Sequence, residues 1–340
     1  MKSFAVTLLI ALVASPAAVA QPDPLPSWND GAAKQAIIAF VHDTTDASSP
    51  HFVPRESRIA TFDQDGTTWV EHPNYTQLVF CLDRVPALVA KHPELRDVEP
   101  FKTVLSGDKA AIAKLTKPDL EKIAAATLSG MTVEQLTAEV KRWITTAKDA
   151  RWQKLYTQLT YEPMLEVMKY LRASGYQVYI VTGGGQDFVR AYAWGTYGVP
   201  PDHVVGTAGA VTYGYAKDGQ PMLTKDPKVL VNDDNAGKPE AIHLVIGQRP
   251  QIAFGNSTGD RQMLEYTTGL SLLVLHDDAR REYAYGPALG LPDTKVGTFT
   301  QALYDEARRK GWIVISMKSD WNRIFPFEEP GRARLSERQR

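Results

Sequence analysis

The sequence predicts an α/β fold: a Rossmann-like, mainly parallel sheet with an inserted all-helical subdomain. Short apolar runs alternate with segments in which apolar residues recur at i, i+3 and i+4, and this alternation is typical of βαβ units with parallel strands. Residues 76–159, which separate the first run from the second, have a helical pattern throughout. Because this stretch is too long for a loop, we expect it to be a helical insertion.

The composition is that of a globular protein without a strong charge bias. The 340 residues allow about two domains. Lys and Arg number 38 against 39 Asp and Glu, so there is no basic field and we expect no nucleic-acid partner. The single cysteine, Cys81, excludes an intramolecular disulfide and a zinc site made of cysteines. The composition gives no indication of the oligomeric state.

The first twenty residues have the pattern of a signal peptide. Lys2 is followed by an apolar stretch, residues 4–14, that is too short to span a bilayer, and Ala18-Val19-Ala20 forms a small-x-small cleavage site. We therefore expect residues 1–20 to be removed and the mature protein to be periplasmic or secreted, without membrane attachment. A retained anchor helix is the alternative, which the length rule disfavours.

Five apolar runs are predicted to be strands of the sheet: residues 58–63, 177–185, 203–208, 251–256 and 270–276. An amphipathic helix over residues 162–176 precedes the second strand and is closed by Gly175. Asp218-Gly219 is a hairpin signal after the third strand. Near the C-terminus, a helix over 299–309 and a strand over 312–317 would complete the sheet or cover its edge.

These elements predict two structural units and two terminal segments. Residues 21–75 and 160–327 would form the α/β core, and residues 76–159 would form the helical cap. The two terminal segments are the signal peptide, residues 1–20, and residues 328–340, which we expect to be a disordered tail.

The first motif that carries chemistry is Asp63-Gln64-Asp65-Gly66-Thr67-Thr68, at the end of the first strand. Ligands of open α/β sheets bind at the carboxyl ends of strands. Two carboxylates separated by one residue point to opposite faces of a strand unless the chain turns, and Gly66 permits a turn. One carboxylate could then attack a phosphorus atom while the other handles the leaving-group proton. The alternative is a polar strand end followed by an ordinary turn.

Two further motifs offer groups that bind phosphate. Thr182-Gly183-Gly184-Gly185 ends the second strand, where a hydroxyl and backbone N–H groups exposed by glycine suit phosphate oxygens. Lys238 precedes an apolar helical segment and supplies a positive charge. Each motif has an ordinary alternative, because glycine turns are common after strands and a lone lysine is usually solvated.

The fourth motif, residues 255–260, lies between a strand and a helix and has two interpretations. Its Gly-x-Ser257-x-Gly pattern matches the nucleophile elbow of serine hydrolases. That chemistry requires an acidic residue and then a histidine downstream, and His276 is the only histidine that follows.

In the other interpretation, this motif forms part of a cation site. Asn256 would be an oxygen ligand of a hard cation, and Asp260 would be a partner of the ligands or of the bound water. Asp63 and Asp65 would provide further oxygens. Mg²⁺ suits such a site, because it prefers a few protein oxygens together with water and substrate phosphate.

Together the four motifs resemble those of the haloacid dehalogenase superfamily of phosphatases, and the long insertion resembles its capped, phosphoserine-phosphatase-like branch. The motifs occur in the family's order along residues 58–278, at consistent strand ends. The resemblance implies Mg²⁺ as the cofactor and Asp63 as the nucleophile that forms an aspartyl-phosphate. It implies Asp65 as the general acid/base, whose backbone carbonyl also binds the metal.

The same resemblance assigns the phosphate-binding groups. It implies that Thr182 and the Gly183 N–H hold the phosphoryl oxygens, and that Lys238 neutralises charge on the nucleophile Asp63 and on the phosphoryl group. It implies that Asp260 orients Lys238 or a metal-bound water.

Two residues refine this implied chemistry. The family usually has an acidic metal ligand where this chain has Asn256, and an amide brings no charge, so we expect weaker Mg²⁺ binding that Asn256→Asp would tighten. The dehalogenases of the superfamily lack the second aspartate, because halide leaves without a proton whereas an alkoxide requires one. Asp65 therefore favours phosphoester hydrolysis over dehalogenation.

The cap and Glu71 are expected to select the substrate. By similarity, Glu71 lies near the position where phosphoserine phosphatases place a glutamate that meets the substrate ammonium. Four aromatic residues could form a cage for a quaternary ammonium such as phosphocholine, although packing within the cap is the more common use of such residues. These residues are Trp69, Trp143, Trp152 and Tyr156.

The sequence thus predicts an exported, Mg²⁺-dependent phosphomonoesterase that acts on a small phosphorylated metabolite, phosphoserine-like or phosphocholine-like. One alternative is a periplasmic ligand- or phosphate-binding module that has lost turnover, which only Asn256 favours. The other alternative is a serine esterase that uses Ser257.

Overall fold

In the computed structural model, which describes residues 23–328, seven strands form one sheet. They are β1 (Ile59–Phe62), β2 (Gln177–Gly185), β3 (Val204–Tyr215), β4 (Pro221–Val231), β5 (Ile252–Gly255), β6 (Leu270–Leu275) and β7 (Ile313–Ser316). Their order is β4-β3-β2-β1-β5-β6-β7, and each neighbouring pair is parallel except β3–β4. The predicted α/β class with a mainly parallel sheet is confirmed. The predicted signal peptide, residues 1–20, and residues 329–340 of the predicted tail lie outside the described residues.

Helices cover the sheet and occupy the long interval between its first two strands. They are α1 (Ala32–Thr45), α2 (Thr76–Lys91), α3 (Phe101–Leu105), α4 (Lys109–Ile112), α5 (Lys117–Leu128), α6 (Val133–Ile144), α7 (Glu162–Ala173), α8 (Gln186–Arg190), α9 (Ala193–Tyr197), α10 (Gly237–Val245), α11 (Arg261–Tyr266) and α12 (Gln301–Lys310). Helices α2 to α6 lie where the helical insertion is predicted. Within residues 23–328, no helix combines the length and apolar character needed to cross a membrane.

The buried core has two parts, one on each face of the sheet. Because side chains alternate along a strand, Ala60 and Phe62 of β1 join the part that contains α1, α2 and α7, whereas Ile59 joins the part that contains α10, α11 and α12. The rings of Phe62 and Phe254 stack with their centroids 4.4 Å apart. This packing holds the carboxyl ends of β1 and β5 side by side.

The expected helical pattern does not continue to residue 159. Helix α6 ends at Ile144, and the following residues form turns and one short 3₁₀ segment. The reason is local competition for backbone hydrogen bonds. The Thr145 hydroxyl donates to a backbone carbonyl three residues earlier, and the Asp149 carboxylate accepts from backbone N–H groups two and three residues later.

The predicted third strand is longer than expected and forms a hairpin with β4 at the edge of the sheet. Asp218-Gly219 lies in the connecting turn, which confirms the hairpin signal. Lys225 of β4 then pairs through its backbone with the cap: its carbonyl accepts from the Gly130 N–H, and its N–H donates to the Met131 carbonyl, both at 2.9 Å. The cap is therefore joined to the sheet edge by backbone hydrogen bonds. At the opposite edge β7 pairs with β6 and completes the sheet.

Candidate active site

Three neighbouring strands bring the predicted residues together. β1 lies between β2 and β5, so the strand ends that carry the first, second and fourth motifs are adjacent in space. Lys238 reaches the same place from α10. We call this group of side chains the strand-end cluster; its members are Asp63, Asp65, Thr182, Lys238, Asn256 and Asp260.

Lys238 is the centre of the cluster. Its side chain is 2% exposed, and its Nζ donates to Asp63 Oδ1 and Asp260 Oδ1, each at 2.6 Å, and to the Val181 carbonyl at 2.9 Å. Burial alone lowers the pKa of this amine, but the carboxylates of Asp260 and Asp63 outweigh it, so the pKa of Lys238 is raised above its ordinary value. The lysine is therefore a permanent positive charge beside the predicted nucleophile.

Asp63 and a second buried acid, Asp233, face this lysine. Burial, with the nearby charge of Asp260, raises the pKa of Asp63 well above its ordinary value. Burial likewise raises the pKa of Asp233 to about 7, and within the described residues neither of its carboxylate oxygens has a hydrogen bond of normal geometry. Asp233 is not among the residues predicted from the sequence. The one sequence feature that could have identified it is the pair of adjacent acids, Asp233 and Asp234, that follows β4.

The Asp63–Thr68 turn directs Asp65 towards the same pocket. Gly66 adopts φ +77°, and the N–H of Thr68 donates to the Gln64 carbonyl at 2.8 Å, so the chain reverses immediately after the strand. Trp69 Nε1 then donates to Asp65 Oδ1 at 2.7 Å. Burial raises the pKa of Asp65 to about 6, a value suited to proton transfer near neutral pH.

A histidine that the sequence did not single out for the site supports this turn. His276 is buried; its Nε2 lies 2.7 Å from the Gly66 carbonyl oxygen and its Nδ1 lies 3.0 Å from Glu282 Oε2. His276 and Glu282 therefore form a brace that holds the turn between Asp63 and Asp65, and only their spatial contact identifies it.

The phosphate-binding loop is shaped by Thr182 and by a residue of the cap. Thr182 Oγ1 accepts from the Gly184 N–H at 3.0 Å, and Gln77 Oε1, from the first turn of α2, accepts from the Gly185 N–H at 2.6 Å. A Cβ at Gly184 would lie 3.8 Å from Asp65 Oδ2, so the loop faces the predicted acid/base. Gly183 is exposed and accessible to a ligand.

Asn256 and Glu71 lie side by side at the other flank of Asp63. Asn256 Nδ2 donates to Glu71 Oε1 at 2.6 Å, and Asn256 Oδ1 accepts from Thr67 Oγ1 at 3.2 Å. The Tyr285 hydroxyl also donates to Glu71 Oε1, at 2.9 Å. Glu71, predicted as a substrate contact, is thus placed by the structure against Asn256 and below the surface.

The nucleophile-elbow interpretation of Ser257 is wrong. Its Oγ accepts from the Gly259 N–H and lies 3.3 Å from Asp260 Oδ2, and Asp260 also accepts from the Ser257 N–H. The downstream His276 is occupied by Glu282 and the Gly66 carbonyl. Within the part of the chain that the structure describes, Ser257 therefore has no histidine partner, and its hydroxyl caps a turn.

The four aromatic residues of the predicted cage do not form one cluster. Trp143 stacks on Tyr156, Trp152 packs against Phe325, and Trp69 stacks on Tyr192 within the core. All four pack in or against the same core, as the packing alternative requires, and their ring contacts are mainly with other core residues, so they do not form the predicted cage.

The residues present fit a hard cation. Four buried carboxyl groups and the partly buried Asp65 lie at this end of the sheet with one buried lysine. The four are Asp63, Glu71, Asp233 and Asp260. Burial raises the pKa of Asp63, Asp65, Glu71 and Asp233. Among residues 23–328 no three His, Cys, Asp or Glu side chains are grouped as ligands of one metal. The expected donor set fits without such a group, because it consists of one carboxylate, one backbone carbonyl and one amide oxygen.

The solved structures that match this chain at low sequence identity include proteins from three bacteria. A functionally unknown protein from Anaerococcus prevotii has 16% identity and a TM-score of 0.48, over 72% of this chain and 86% of that one. A protein of unknown function from Bordetella pertussis has 17% identity and a TM-score of 0.46, over 76% and 97%. A probable phosphoserine phosphatase from Vibrio cholerae has 16% identity and a TM-score of 0.36, over 65% and 58%.

The family comparison covers the strand-end motifs. A search of curated proteins finds no match. The family model of haloacid dehalogenase-like hydrolases matches residues 60–265, which is more than half of the chain and includes all members of the strand-end cluster. The resemblance drawn from the four motifs is confirmed, and this chain belongs to the haloacid dehalogenase-like hydrolases.

Proposed function

We propose that this hydrolase is a phosphomonoesterase that forms an aspartyl-phosphate on Asp63 and uses Mg²⁺. The observation that carries the proposal is the contact of one buried lysine, Lys238, with both Asp63 and Asp260, beside the acid/base candidate Asp65. Such a lysine offsets negative charge on the nucleophile and on a transferred phosphoryl group. A lysine whose charge is merely solvated by water would lie at the surface.

The geometry suits a two-step reaction. Lys238 engages Asp63 Oδ1, which leaves Oδ2 to attack phosphorus while the ester P–O bond breaks. Asp65, protonated below its pKa of about 6, gives its proton to the leaving alkoxide. As a carboxylate it then takes a proton from water, which attacks phosphorus, breaks the bond to Asp63 and releases inorganic phosphate.

The metal and phosphate groups have assigned positions in this proposal. Asp63, the Asp65 carbonyl and Asn256 would hold Mg²⁺, which when bound would neutralise charge on the phosphoryl oxygens. Thr182 and the Gly183 N–H would hold the same oxygens from the opposite side.

The substrate would be a small phosphorylated metabolite, phosphoserine-like rather than phosphocholine-like, because the candidate cage residues are engaged in core packing with other aromatic rings. We assign substrate specificity to the cap. Gln77 supports this assignment, because it reaches from α2 to the phosphate-binding loop. Export to the periplasm or outside the cell is proposed on the pattern of residues 1–20 alone. Cell fractionation tests it, and an active protein confined to the cytoplasm would contradict it.

Hydrolysis of p-nitrophenyl phosphate and phosphoserine by the mature protein, with and without Mg²⁺, tests the activity. We expect Asp63→Asn to abolish turnover. We also expect it to abolish the covalent phosphate label, stable in acid, that the substrate leaves on the wild-type protein. Ser257→Ala, a matched change in the same pocket, should retain turnover. A wild type that is inert with every divalent metal would favour the binding-module alternative, and turnover in Asp63→Asn would contradict the assignment of the nucleophile.

A further inference from the structure

Glu71 is a buried carboxylate whose role the proposed reaction does not use. Its side chain is 2% exposed, and Oε1 accepts both from Asn256 Nδ2 at 2.6 Å and from the Tyr285 hydroxyl at 2.9 Å. The ion pairs among residues 23–328 include none that involves Glu71. A carboxylate buried with two neutral donors requires a further source of stabilisation, because burial of an unpaired charge is costly.

The backbone on two sides is shaped to admit this carboxylate. A Cβ at Gly66 would lie 2.3 Å from Glu71 Oε1, and a Cβ at Gly297 would lie 1.7 Å from the same oxygen. Both glycines have positive φ, +77° and +65°. One of them belongs to the Asp63–Thr68 turn and the other to a loop more than 200 residues away, so the position of Glu71 depends on two independent close approaches.

Asn256 connects Glu71 to the candidate cation site. Its amide nitrogen donates to Glu71 Oε1, and its Oδ1 accepts one hydrogen bond from Thr67 Oγ1 at 3.2 Å. An amide oxygen has two lone pairs, so Oδ1 keeps one for a cation. A carboxylate that accepts from an amide N–H increases the negative character of the amide oxygen, in the way that outer partners raise the basicity of metal ligands. A neutral ligand is in this manner hydrogen-bonded to a group that carries a full negative charge when it is ionised.

We propose that Glu71 supplies the negative charge that Asn256 lacks, and that the Glu71–Asn256 pair acts as one anionic partner of the divalent cation. This inference rests on the proposed function for the presence of Mg²⁺. Glu71 is then a positioning and charge-supplying residue of the metal site, and it does not meet a substrate ammonium.

Mg²⁺ binding to the purified mature protein, measured by calorimetry without substrate, tests the pair. Glu71→Gln removes the charge and keeps an acceptor for both donors, and we expect Mg²⁺ affinity to fall about 10–100-fold. In contrast to the expectation from the sequence, Asn256→Asp alone should not tighten Mg²⁺ binding, because it places a second carboxylate against Glu71. The double variant Glu71→Gln/Asn256→Asp, which moves the charge to Asn256, should recover the wild-type affinity.

Two controls keep the test decisive. Glu166→Gln, which removes one charge from a half-buried glutamate hydrogen-bonded to Ser27, should leave Mg²⁺ affinity unchanged. Tyr285→Phe removes one hydrogen bond from Glu71 and keeps its charge, so it should weaken binding much less than Glu71→Gln. Circular dichroism and thermal melting establish that each variant folds.

Several results would overturn the inference. Unchanged Mg²⁺ affinity in Glu71→Gln, or failure of the double variant to recover it, would exclude the charge-supplying role. A rise in KM for phosphoserine alone, with Mg²⁺ affinity intact, would support the substrate-contact prediction. None of these three results affects the proposed phosphatase activity, which Asp63→Asn tests separately. A wild type without measurable Mg²⁺ binding would overturn the inference and the magnesium part of the proposal together.

Discussion

Replacement of Lys238 by methionine should cost more stability at neutral pH than any surface change. Nζ lies 2.6 Å from an oxygen of Asp63 and from one of Asp260, so these two oxygens are at most about 5.2 Å apart. At an effective dielectric constant of about 20, two unit charges at that separation repel by about 3 kcal/mol. Removal of one partner from a buried ion pair typically costs about 3–5 kcal/mol, and we expect a loss in this range.

The cost should depend on pH in a definite direction. The pKa of Asp63 is raised in the folded protein and rises further without the lysine. A group with a raised folded pKa contributes stability at low pH that is lost as the pH rises through that pKa. Lys238→Met should therefore be most destabilised at about pH 8 and recover part of its stability at about pH 5, where the buried carboxyl binds a proton.

Urea unfolding in EDTA, followed by tryptophan fluorescence at both pH values, measures this dependence. Lys225→Met is a matched control, because Lys225 is also buried but has a single carboxylate partner, Asp187, that is more exposed. The control should lose less stability and show a weaker pH dependence. A loss below about 1 kcal/mol at pH 8, the range of an exposed ion pair, would refute the buried-charge argument, and so would an equal loss at both pH values.

Three further predictions concern residues around the reacting groups. Asp65→Asn should lower kcat/KM for phosphoserine about 10²–10⁴-fold, and kcat/KM for p-nitrophenyl phosphate much less, because p-nitrophenoxide leaves without a proton. In the wild type, kcat/KM for phosphoserine should fall above about pH 6. An identical pH profile in the variant would contradict the role of Asp65 as the acid. His276→Leu leaves Glu282 Oε2 without its partner, so it should lower the free energy of unfolding in urea by about 1–3 kcal/mol and lower kcat. An unchanged kcat would limit His276 to a role in stability. Gln77→Ala removes one hydrogen bond to the phosphate-binding loop and should change kcat/KM about 2–10-fold, with the ratio between substrates altered; an equal change for all substrates would argue against a role in specificity.

The fold class was readable because its signals are local. The predicted strands of the sheet are short apolar runs, and glycine or polar residues stand at the ends of several of them, as after Phe62 and at Gly185. The end of α6 at Ile144 was missed because an amphipathic pattern continues beyond it. There, hydrogen bonds from Thr145 and to Asp149 outweigh the periodicity.

The hairpin illustrates a different limit. Asp218-Gly219 indicates a turn, but the pairing of Lys225 with Gly130 and Met131 joins segments about ninety-five residues apart. Backbone hydrogen bonds of this kind involve no particular side chain, so no residue type marks them in the sequence.

The strand-end cluster divides in the same way. Motif order alone predicted Asp63, Asp65, Thr182, Lys238 and Asn256 as site residues, because each lies at a strand end or at the start of a helix whose pattern is local. Their partners follow from contacts between segments far apart in the chain. The brace of His276 on the Gly66 carbonyl spans 210 residues and the bond from Asn256 to Glu71 spans 185. Such contacts exist only once βαβ topology has placed β1, β5 and β6 side by side, and burial in that arrangement sets the charge balance on which the chemistry depends.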